Sequence, residues 1–260
     1  MKAPRRFLAL VGLAVLIITG CSLHKADRGV LYQFSTLSAL MEGVYDGGQD
    51  YGDLLRHGDF GLGTFAALDG EMVALDGRFY QVKADGQAYP VPETARTPFA
   101  MVTFFRAGKT VRLDKPLSLR QLEDYLDGLL PSPNLPYAVR IEGAFSYIKT
   151  RSVPRQTKPY PRLAEAVRGQ TVFEFHKVQG TIVGFRIPGY LNGVNMAGYH
   201  FHFITGDRRA GGHLLDCQME QAEISLSQIT RFYLRLPKTG DFLRTDLTGK
   251  GHKEAEQAEK

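Results

Sequence analysis

Cysteine is scarce in this chain of 260 residues, which contains only Cys21 and Cys217. Two cysteines cannot form the disulfide framework of a small secreted domain, and they cannot form a zinc site of several thiolates. If Cys21 is modified, Cys217 has no cysteine partner within the chain. Hydrophobic residues make up 43% of the sequence, so the chain buries a core of its own rather than remaining disordered.

A long membrane-spanning apolar run is also missing. Three basic residues precede the apolar segment 7–18, which is shorter than the roughly 20 residues that cross a bilayer. This pattern predicts a signal peptide over residues 1–21. The segment 18–21, with sequence ITGC, resembles the bacterial lipoprotein signal, in which the cysteine is lipidated. An ordinary secretory signal is the alternative. Both predict export, either to the cell envelope with a lipid anchor on Cys21 or as a secreted protein.

A strong excess of one charge is absent as well. The net charge is +5, and removal of the three basic residues in the signal leaves 29 basic and 27 acidic residues. Such a balance does not indicate a surface for nucleic acid, whose recognition needs clustered lysine and arginine. We therefore predict no nucleic-acid partner, and membrane contact only through the N-terminal anchor.

The first half of the mature chain has the pattern of a mixed sheet with short helices. A strand is predicted at Val30–Phe34, and helical segments are predicted at 37–44 and 51–56. Asp-Gly dipeptides at 69–70, 76–77 and 85–86 separate short apolar runs. Asp-Gly is typical of tight hairpin turns, so this region is predicted to be a series of hairpins.

One amphipathic helix follows, with leucines at a 3.6-residue period from Leu119 to Leu129. Ser118 and Gln121 form a capping-box pattern, in which each side chain satisfies a free backbone N–H of the first turn. Pro131 ends the helix.

The second half returns to strands, many of which alternate apolar and polar residues. They are predicted at 138–141, 145–150, 171–176, 180–186, 199–205, 213–224 and 232–236. The predicted fold class is α/β, of the β-rich α+β kind. An N-terminal mixed-sheet domain spans 22–150, and a C-terminal β-barrel-like domain spans 151–260 and carries a metal site.

The segment 199–203, with sequence YHFHF, alternates aromatic residues with His200 and His202. On a strand, both imidazoles point to one face and the aromatic rings point to the other. Turn residues after the pair allow His213 to return on a neighbouring strand. Three imidazoles suit Zn²⁺ and leave a fourth position for water or substrate. Histidines scattered over a sheet or buried in the core are the alternative.

Several segments resemble the alpha-acetolactate decarboxylase family. They are 198–204 (GYHFHFI) with 211–213 (GGH), 58–65 (GDFGLGTF) with 68–71 (LDGE), 140–143 (RIEG), 150–151 (TR) and 180–185 (GTIVGF). The similarity runs in one order from about residue 30 to residue 247.

The resemblance implies a two-domain α/β protein, usually a homodimer, with zinc held by His200, His202 and His213. It implies that Glu71 and Arg151 line the site and that a glutamate from the C-terminal tail reaches the metal. Among the candidates Glu254, Glu256 and Glu259, we favour Glu259. The implied activity is decarboxylation of 2-acetolactate to acetoin and CO₂ through a zinc-stabilised enediolate.

Those residue types also suit the chemistry. A divalent cation acts as a Lewis acid on developing oxyanion charge. The Arg151 guanidinium can orient substrate oxygens, and the Glu71 carboxyl can relay the proton that ends on carbon. Thr64 is a candidate substrate-binding residue. The alternatives are an exposed hairpin glutamate, a solvated arginine and a strand threonine with no role in binding.

Two other functions compete with this interpretation. One is a different three-histidine metalloenzyme of cupin-like type, but a cupin carries a glutamate a few residues after the His-x-His pair and the segment 203–207 (FITGD) has none. The other is a non-catalytic metal-binding envelope lipoprotein. It would explain the signal but not the joint presence of the Glu71 and Arg151 motifs.

Overall fold

The computed structural model of the protein describes residues 29–238 and 240–248. The predicted signal peptide, Cys21 and the three tail glutamates therefore lie outside the described residues. In the described part, no helix has the length and apolar character needed to cross a membrane.

Short strands and a few longer ones make up most of the chain. The strands are β1 Val30–Phe34, β2 Gln49–Asp50, β3 Phe60–Thr64, β4 Glu71–Leu75, β5 Arg78–Val82, β6 Ala88–Pro90, β7 Arg96–Thr97, β8 Ala100–Thr103, β9 Lys109–Leu113, β10 Leu117–Ser118, β11 Tyr137–Ser152, β12 Thr171–Ile187, β13 Gly198–Thr205, β14 Gly211–Gln228 and β15 Arg231–Arg235. The helices are α1 Leu37–Met41, α2 Tyr51–Leu55, α3 Leu119–Leu129 and α4 Leu163–Ala166, with 3-10 turns at Ala66–Leu68, Val167–Gly169, Gly189–Leu191 and Gly240–Leu243.

Two sheets contain nearly all of these strands. The first has seven strands in the order β15-β1-β8-β3-β4-β5-β6, and β15 pairs with β1 in parallel. The second has the order β10-β14-β11-β12-β13, β9 pairs with β14, and β13 pairs with β14 as well. A small third sheet joins β2 and β7. This confirms the prediction of a β-rich α+β protein with few helices.

An apolar core lies where the two large sheets face each other. Strands β3 and β4 contribute Leu62, Val73 and Leu75, and β12 contributes Val183 and Phe185. Because side chains on a strand alternate between faces, residues two positions from these buried ones face the same interface. The same alternation decides which side chains of these strands point into the space between the sheets.

The predicted capping box at Ser118 and the tight turn at Asp76-Gly77 are confirmed, whereas the other two Asp-Gly dipeptides, at 69–70 and 85–86, lie in longer connections between strands. Ser118 caps α3, and both halves of the capping box with Gln121 are formed. Strands β4 and β5 form a hairpin whose turn places Asp76 at φ 53° and Gly77 at φ 73°. Positive φ at both central positions is what the tight hairpin turn requires, and Asp-Gly accepts it at low cost.

The strands of the second half are longer than predicted. The segments 138–141 and 145–150 belong to one strand, β11, and 171–176 and 180–186 belong to β12. Gly143 lies at the predicted break in β11, and Gly180 begins the second predicted segment of β12. They instead allow close contact, because a Cβ at Gly143 would lie 2.2 Å from the carbonyl oxygen of Gln221. A glycine within a strand can mark close backbone approach rather than a turn.

The sheets exchange strands across residue 150. Residues 150 and 151 lie inside β11, β9 and β10 pair with β14 in the second sheet, and β15 pairs with β1 in the first. These pairings join residues far apart in the sequence. The two large sheets do not divide at residue 150, and the division into domains 22–150 and 151–260 stays a prediction.

Candidate metal and active site

The predicted alternation along β13 places its histidines between the two sheets. Phe201 and Phe203 pack into the core enclosed by the second sheet, whereas Ile204 packs into the core between the sheets. His200 and His202 lie an even number of residues from Ile204, so they share its face and point toward the first sheet. Their exposed fractions are 6% and 1%.

His213 joins this pair through the register of β13 and β14, in which His202 is directly opposite His213. Residues opposite one another in an antiparallel pair present their side chains on the same face. The ring centroid of His213 lies 5.0 Å from that of His200 and 5.3 Å from that of His202. Three buried imidazoles therefore converge on one point.

The ring nitrogens are positioned as metal ligands. One nitrogen from each histidine lies within 4.8 Å of the others, and Nε2 of His200 is 3.2 Å from Nδ1 of His213. Two nitrogens at zinc–nitrogen distances of about 2.0–2.1 Å, at a tetrahedral angle, would be roughly 3.4 Å apart. The observed separation therefore fits a shared ion.

A backbone contact selects the tautomer of His202. Its Nδ1 lies 2.8 Å from the carbonyl oxygen of Met72 on β4, and a carbonyl only accepts, so Nδ1 carries the hydrogen and donates it. Nε2 then carries the lone pair, and this atom has no hydrogen-bond partner among the described residues. A metal-binding histidine usually donates the N–H of its other ring nitrogen to an acceptor of this kind.

Burial keeps the imidazoles of His200 and His202 neutral. Desolvation, helped by the charge of Arg151, lowers the pKa of His200 to about 3. Desolvation also lowers the pKa of His202 well below its usual value, and the neighbouring His200 adds to the effect. A neutral imidazole offers the lone pair that a cation needs, so the site is prepared for metal at neutral pH.

Glu71 and Arg151 form a buried ion pair beside the histidines. Nη1 of Arg151 donates to Oε1 of Glu71 at 2.8 Å, and the two side chains are only 4% and 9% exposed. Oε2 of Glu71 is 3.6 Å from Nε2 of His202. Neither residue is the exposed surface charge that its sequence context would suggest.

Strand geometry explains how both residues become buried. Glu71 begins β4 and shares a face with Val73, which packs between the sheets. The turn before it needs Gly70, because φ is 88° and a Cβ there would lie 2.3 Å from the carbonyl oxygen of Val82. Arg151 is opposite His213 across β11 and β14. Glu71 therefore reaches the histidines from the facing sheet, and Arg151 reaches them from the strand next to β14.

Thr64 lies next to Glu71 as its register partner on β3. Its hydroxyl donates to the carbonyl oxygen of Gly70 at 2.7 Å, and the residue is 4% exposed. The hydroxyl therefore supports the turn that positions Glu71, and the residue also lines the cavity at the site.

No sequence motif marks the apolar side chains that line this cavity. Besides the polar residues, the cavity is lined by apolar side chains from several elements, namely Leu37, Leu40, Leu68, Phe99, Val153 and Leu163. Apolar residues carry no chemical signature, so only their arrangement in space identifies them. The carbonyl of Met72 was missed for the same reason.

Two further described histidines contact aromatic rings instead. His57 stacks on Tyr32 with 3.9 Å between ring centroids, and His176 lies against Tyr147 at 5.4 Å. They were not predicted as ligands. The predicted Glu259, with Glu254 and Glu256, and the predicted lipidation site Cys21 lie outside the described residues.

Comparisons with known proteins match this chain to one family. The family model described as alpha-acetolactate decarboxylase matches residues 31–249. The chain is 55% identical to an alpha-acetolactate decarboxylase of Methanosarcina mazei over 231 residues, which is 89% of this chain and 80% of that protein. It is 52% identical to one of Methylococcus capsulatus, covering 84% of each chain. The crystal structure of alpha-acetolactate decarboxylase from Bacillus subtilis strain 168 superimposes with a TM-score of 0.86 at 42% identity, covering 88% of this chain and 98% of that one.

Proposed function

The chain belongs to the alpha-acetolactate decarboxylase family, and on this premise we propose that it converts 2-acetolactate to acetoin and CO₂ through a zinc-stabilised enediolate. The observation that carries the proposal is the meeting of three buried histidines with the Glu71–Arg151 ion pair in one cavity.

Zinc is supported by the donor set. Three neutral imidazole nitrogens match a catalytic zinc site, and they leave room for substrate oxygens. A zinc ion held by His200, His202 and His213 would supply a Lewis acid for the negative charge that decarboxylation leaves on the substrate oxygens.

Arg151 serves to bind and orient the substrate. Its guanidinium donates to Glu71 through Nη1, and the planar fork of N–H groups that a guanidinium carries suits substrate oxygens. A planar, permanently charged donor in a buried site fixes the geometry of a carboxylate or oxyanion more strictly than a flexible ammonium does. This contact therefore contributes to catalysis by holding the substrate in the reactive orientation.

Glu71 is proposed to deliver the proton that replaces CO₂. When the bond between C2 and the carboxylate breaks, its electron pair moves toward the neighbouring ketone and CO₂ leaves. Glu71 is a carboxylate in its ion pair with Arg151, so it would first take a proton from solvent and then pass it to C2, where the returning electron pair forms the C–H bond. Oε2 of Glu71 lies 3.6 Å from Nε2 of His202, so it would be close to a substrate bound at the three histidines.

Acetoin formation tests the activity directly. The purified protein is incubated with 2-acetolactate, with and without a metal chelator, and its bound metal is quantified. We expect acetoin and CO₂ in equal amounts, about one zinc per chain, and loss of activity with the chelator. Failure to form acetoin would overturn the decarboxylase function. Full activity in protein free of metal would overturn the zinc assignment alone.

The two competing functions predict different outcomes of the same assay. A cupin-like metalloenzyme would bind metal without making acetoin, and a non-catalytic metal-binding lipoprotein would turn over no substrate. Family membership argues against both.

We further propose four properties that rest on the sequence and the family. The protein is exported, with a lipid anchor on Cys21. It forms a homodimer, which light scattering of the lipid-free chain would reveal. A tail glutamate, Glu259, completes the metal site. The second sheet forms a barrel-like unit, which the pairing of β13 with both β12 and β14 supports.

A further inference from the structure

The cavity at the site has two unlike walls. One wall is polar and consists of Thr64, Glu71, Arg151, His200 and His202. The other is entirely hydrocarbon and includes Leu37 and Leu40 of α1 and Leu163 of α4. The exposed fractions of these three leucines are 2%, 6% and 2%, so they form a closed wall rather than a surface. We call the three leucines the apolar roof.

The apolar roof is built on two very short helices that are tied together. Nε of Arg162, directly before α4, donates to Oε2 of Glu42, directly after α1, at 3.0 Å. Nearby, Nζ of Lys158 donates to Oδ2 of Asp46 at 2.6 Å. Helices of four and five residues have little stability of their own, so these contacts and the packing hold the roof in place.

Packing behind the roof also resists displacement. Leu37, Leu40 and Leu163 belong to one buried cluster that includes Met41 and Met196. A close-packed cluster does not yield easily to an added methylene group, because neighbouring side chains already occupy low-energy rotamers. The roof therefore defines a fixed boundary for whatever binds beneath it.

The chemistry of the proposed substrate assigns a group to this wall. C2 of 2-acetolactate carries a carboxylate, a hydroxyl, an acetyl group and a methyl group. The first three contain oxygen and match the polar wall. The methyl group is the one substituent of C2 that cannot form a hydrogen bond, and burial of oxygen against leucine without a partner is unfavourable.

We propose that the apolar roof receives the alkyl group on C2 and limits its length, and that Leu163 is the specificity-determining residue. This inference rests on the proposed function. Leu163 is singled out because it enters from α4, a segment outside both large sheets. Shortening it enlarges the cavity without changing α1 or the strands that carry the polar wall.

The test compares substrates within each variant. The value of kcat/KM is measured for 2-acetolactate and for its homologues with ethyl or propyl on C2, using the metal-loaded wild type, Leu163→Ala and Leu163→Phe. Within each protein, the values for the homologues are divided by the value for 2-acetolactate. A ratio within one preparation is independent of the fraction of folded enzyme. One methylene in an apolar pocket changes selectivity by about 10- to 200-fold. We expect Leu163→Ala to raise the propyl-to-methyl ratio at least about tenfold and Leu163→Phe to lower the ethyl-to-methyl ratio.

Leu122→Ala is the matched control, because Leu122 is a leucine of α3 with 0% exposure in the core of the second sheet. Its ratios should equal those of the wild type. Unchanged ratios in both Leu163 variants would overturn the inference, as would equal shifts in the Leu122 control. A wild type that decarboxylates none of the three substrates would instead overturn the proposed function.

Discussion

The interface between the two large sheets differs sharply between its two ends. At one end Val73 of β4 and Phe60 of β3 pack in an apolar core. Two residues before Val73 lies Glu71, and the same sheet interface there holds Arg151 and His202. Strand β4 thus supplies residues to both ends, and along it the change from apolar to polar takes a single step of the strand repeat.

The difference shows how a buried reactive site is supported. Apolar residues need only close packing, whereas every buried polar group needs a partner to offset the loss of water. At the polar end those partners are specific: the carbonyl of Met72 for His202, and Glu71 for Arg151. We therefore expect substitutions at the polar end to reduce chemistry and substitutions at the apolar end to reduce stability.

The largest effect is expected for His202→Ala, at the centre of the polar end. The variant loses one of three imidazoles, and within the described residues no other histidine lies at the site to replace it. We expect bound zinc and acetoin formation to be lost together, as measured by metal analysis and the acetoin assay. Stoichiometric zinc with full turnover in this variant would contradict the metal site.

A smaller loss is expected for Glu71→Gln and Arg151→Lys, which should keep zinc. Glutamine cannot transfer a proton, and lysine lacks the planar fork of the guanidinium. Turnover at saturating substrate should fall by about 10²- to 10⁴-fold. The matched control is Arg140→Lys, which alters a less buried ion pair with Asp76 and should leave turnover unchanged. Near wild-type turnover in either variant would mean that the substituted residue has only a structural role.

At the apolar end, Phe60→Ala should reduce stability rather than chemistry. Phe60 lies in the core between the sheets with 1% exposure, at the end of β3 away from Thr64, so its truncation leaves a cavity there. A free energy of unfolding lower by about 3–5 kcal/mol is expected from urea denaturation. Turnover per zinc-loaded folded molecule should stay near the wild-type value. A large loss of kcat without loss of stability would contradict the expectation that the apolar end contributes to stability rather than to chemistry.

Cys21→Ala should affect neither end of the interface. Cys21 lies before the described residues, and its proposed role is attachment of lipid. We expect the variant to leave the membrane fraction while acetoin formation by the folded domain is retained, as measured by cell fractionation and assay. Persistence in the membrane fraction would contradict the lipoprotein signal.

Features set by near neighbours in the chain were readable from sequence. The capping box at Ser118, the Asp76-Gly77 turn and the alternation that puts His200 and His202 on one face each depend on a few adjacent residues. Their physical causes are local sterics and strand geometry, which do not need the rest of the fold.

Features set by distant pairing were not readable in the same way. The parallel partnership of β15 with β1 joins segments about 200 residues apart, and hydrophobic pattern alone does not specify which strands pair. The burial of Glu71 depends on the second sheet covering β4, so its local context indicated an exposed turn. The apolar roof, likewise, exists only once α1 and α4 meet.

The hairpin of β13 and β14 has a consequence for the order of assembly. All three imidazoles lie within 13 residues of one another along the chain, so bringing them together closes only a short loop. The carbonyl that fixes the His202 tautomer belongs to the other sheet, 130 residues away. An ion can therefore be captured by one hairpin early in folding, whereas the exact ring orientation, and with it the tuning of the ion, is acquired only when the sheets dock.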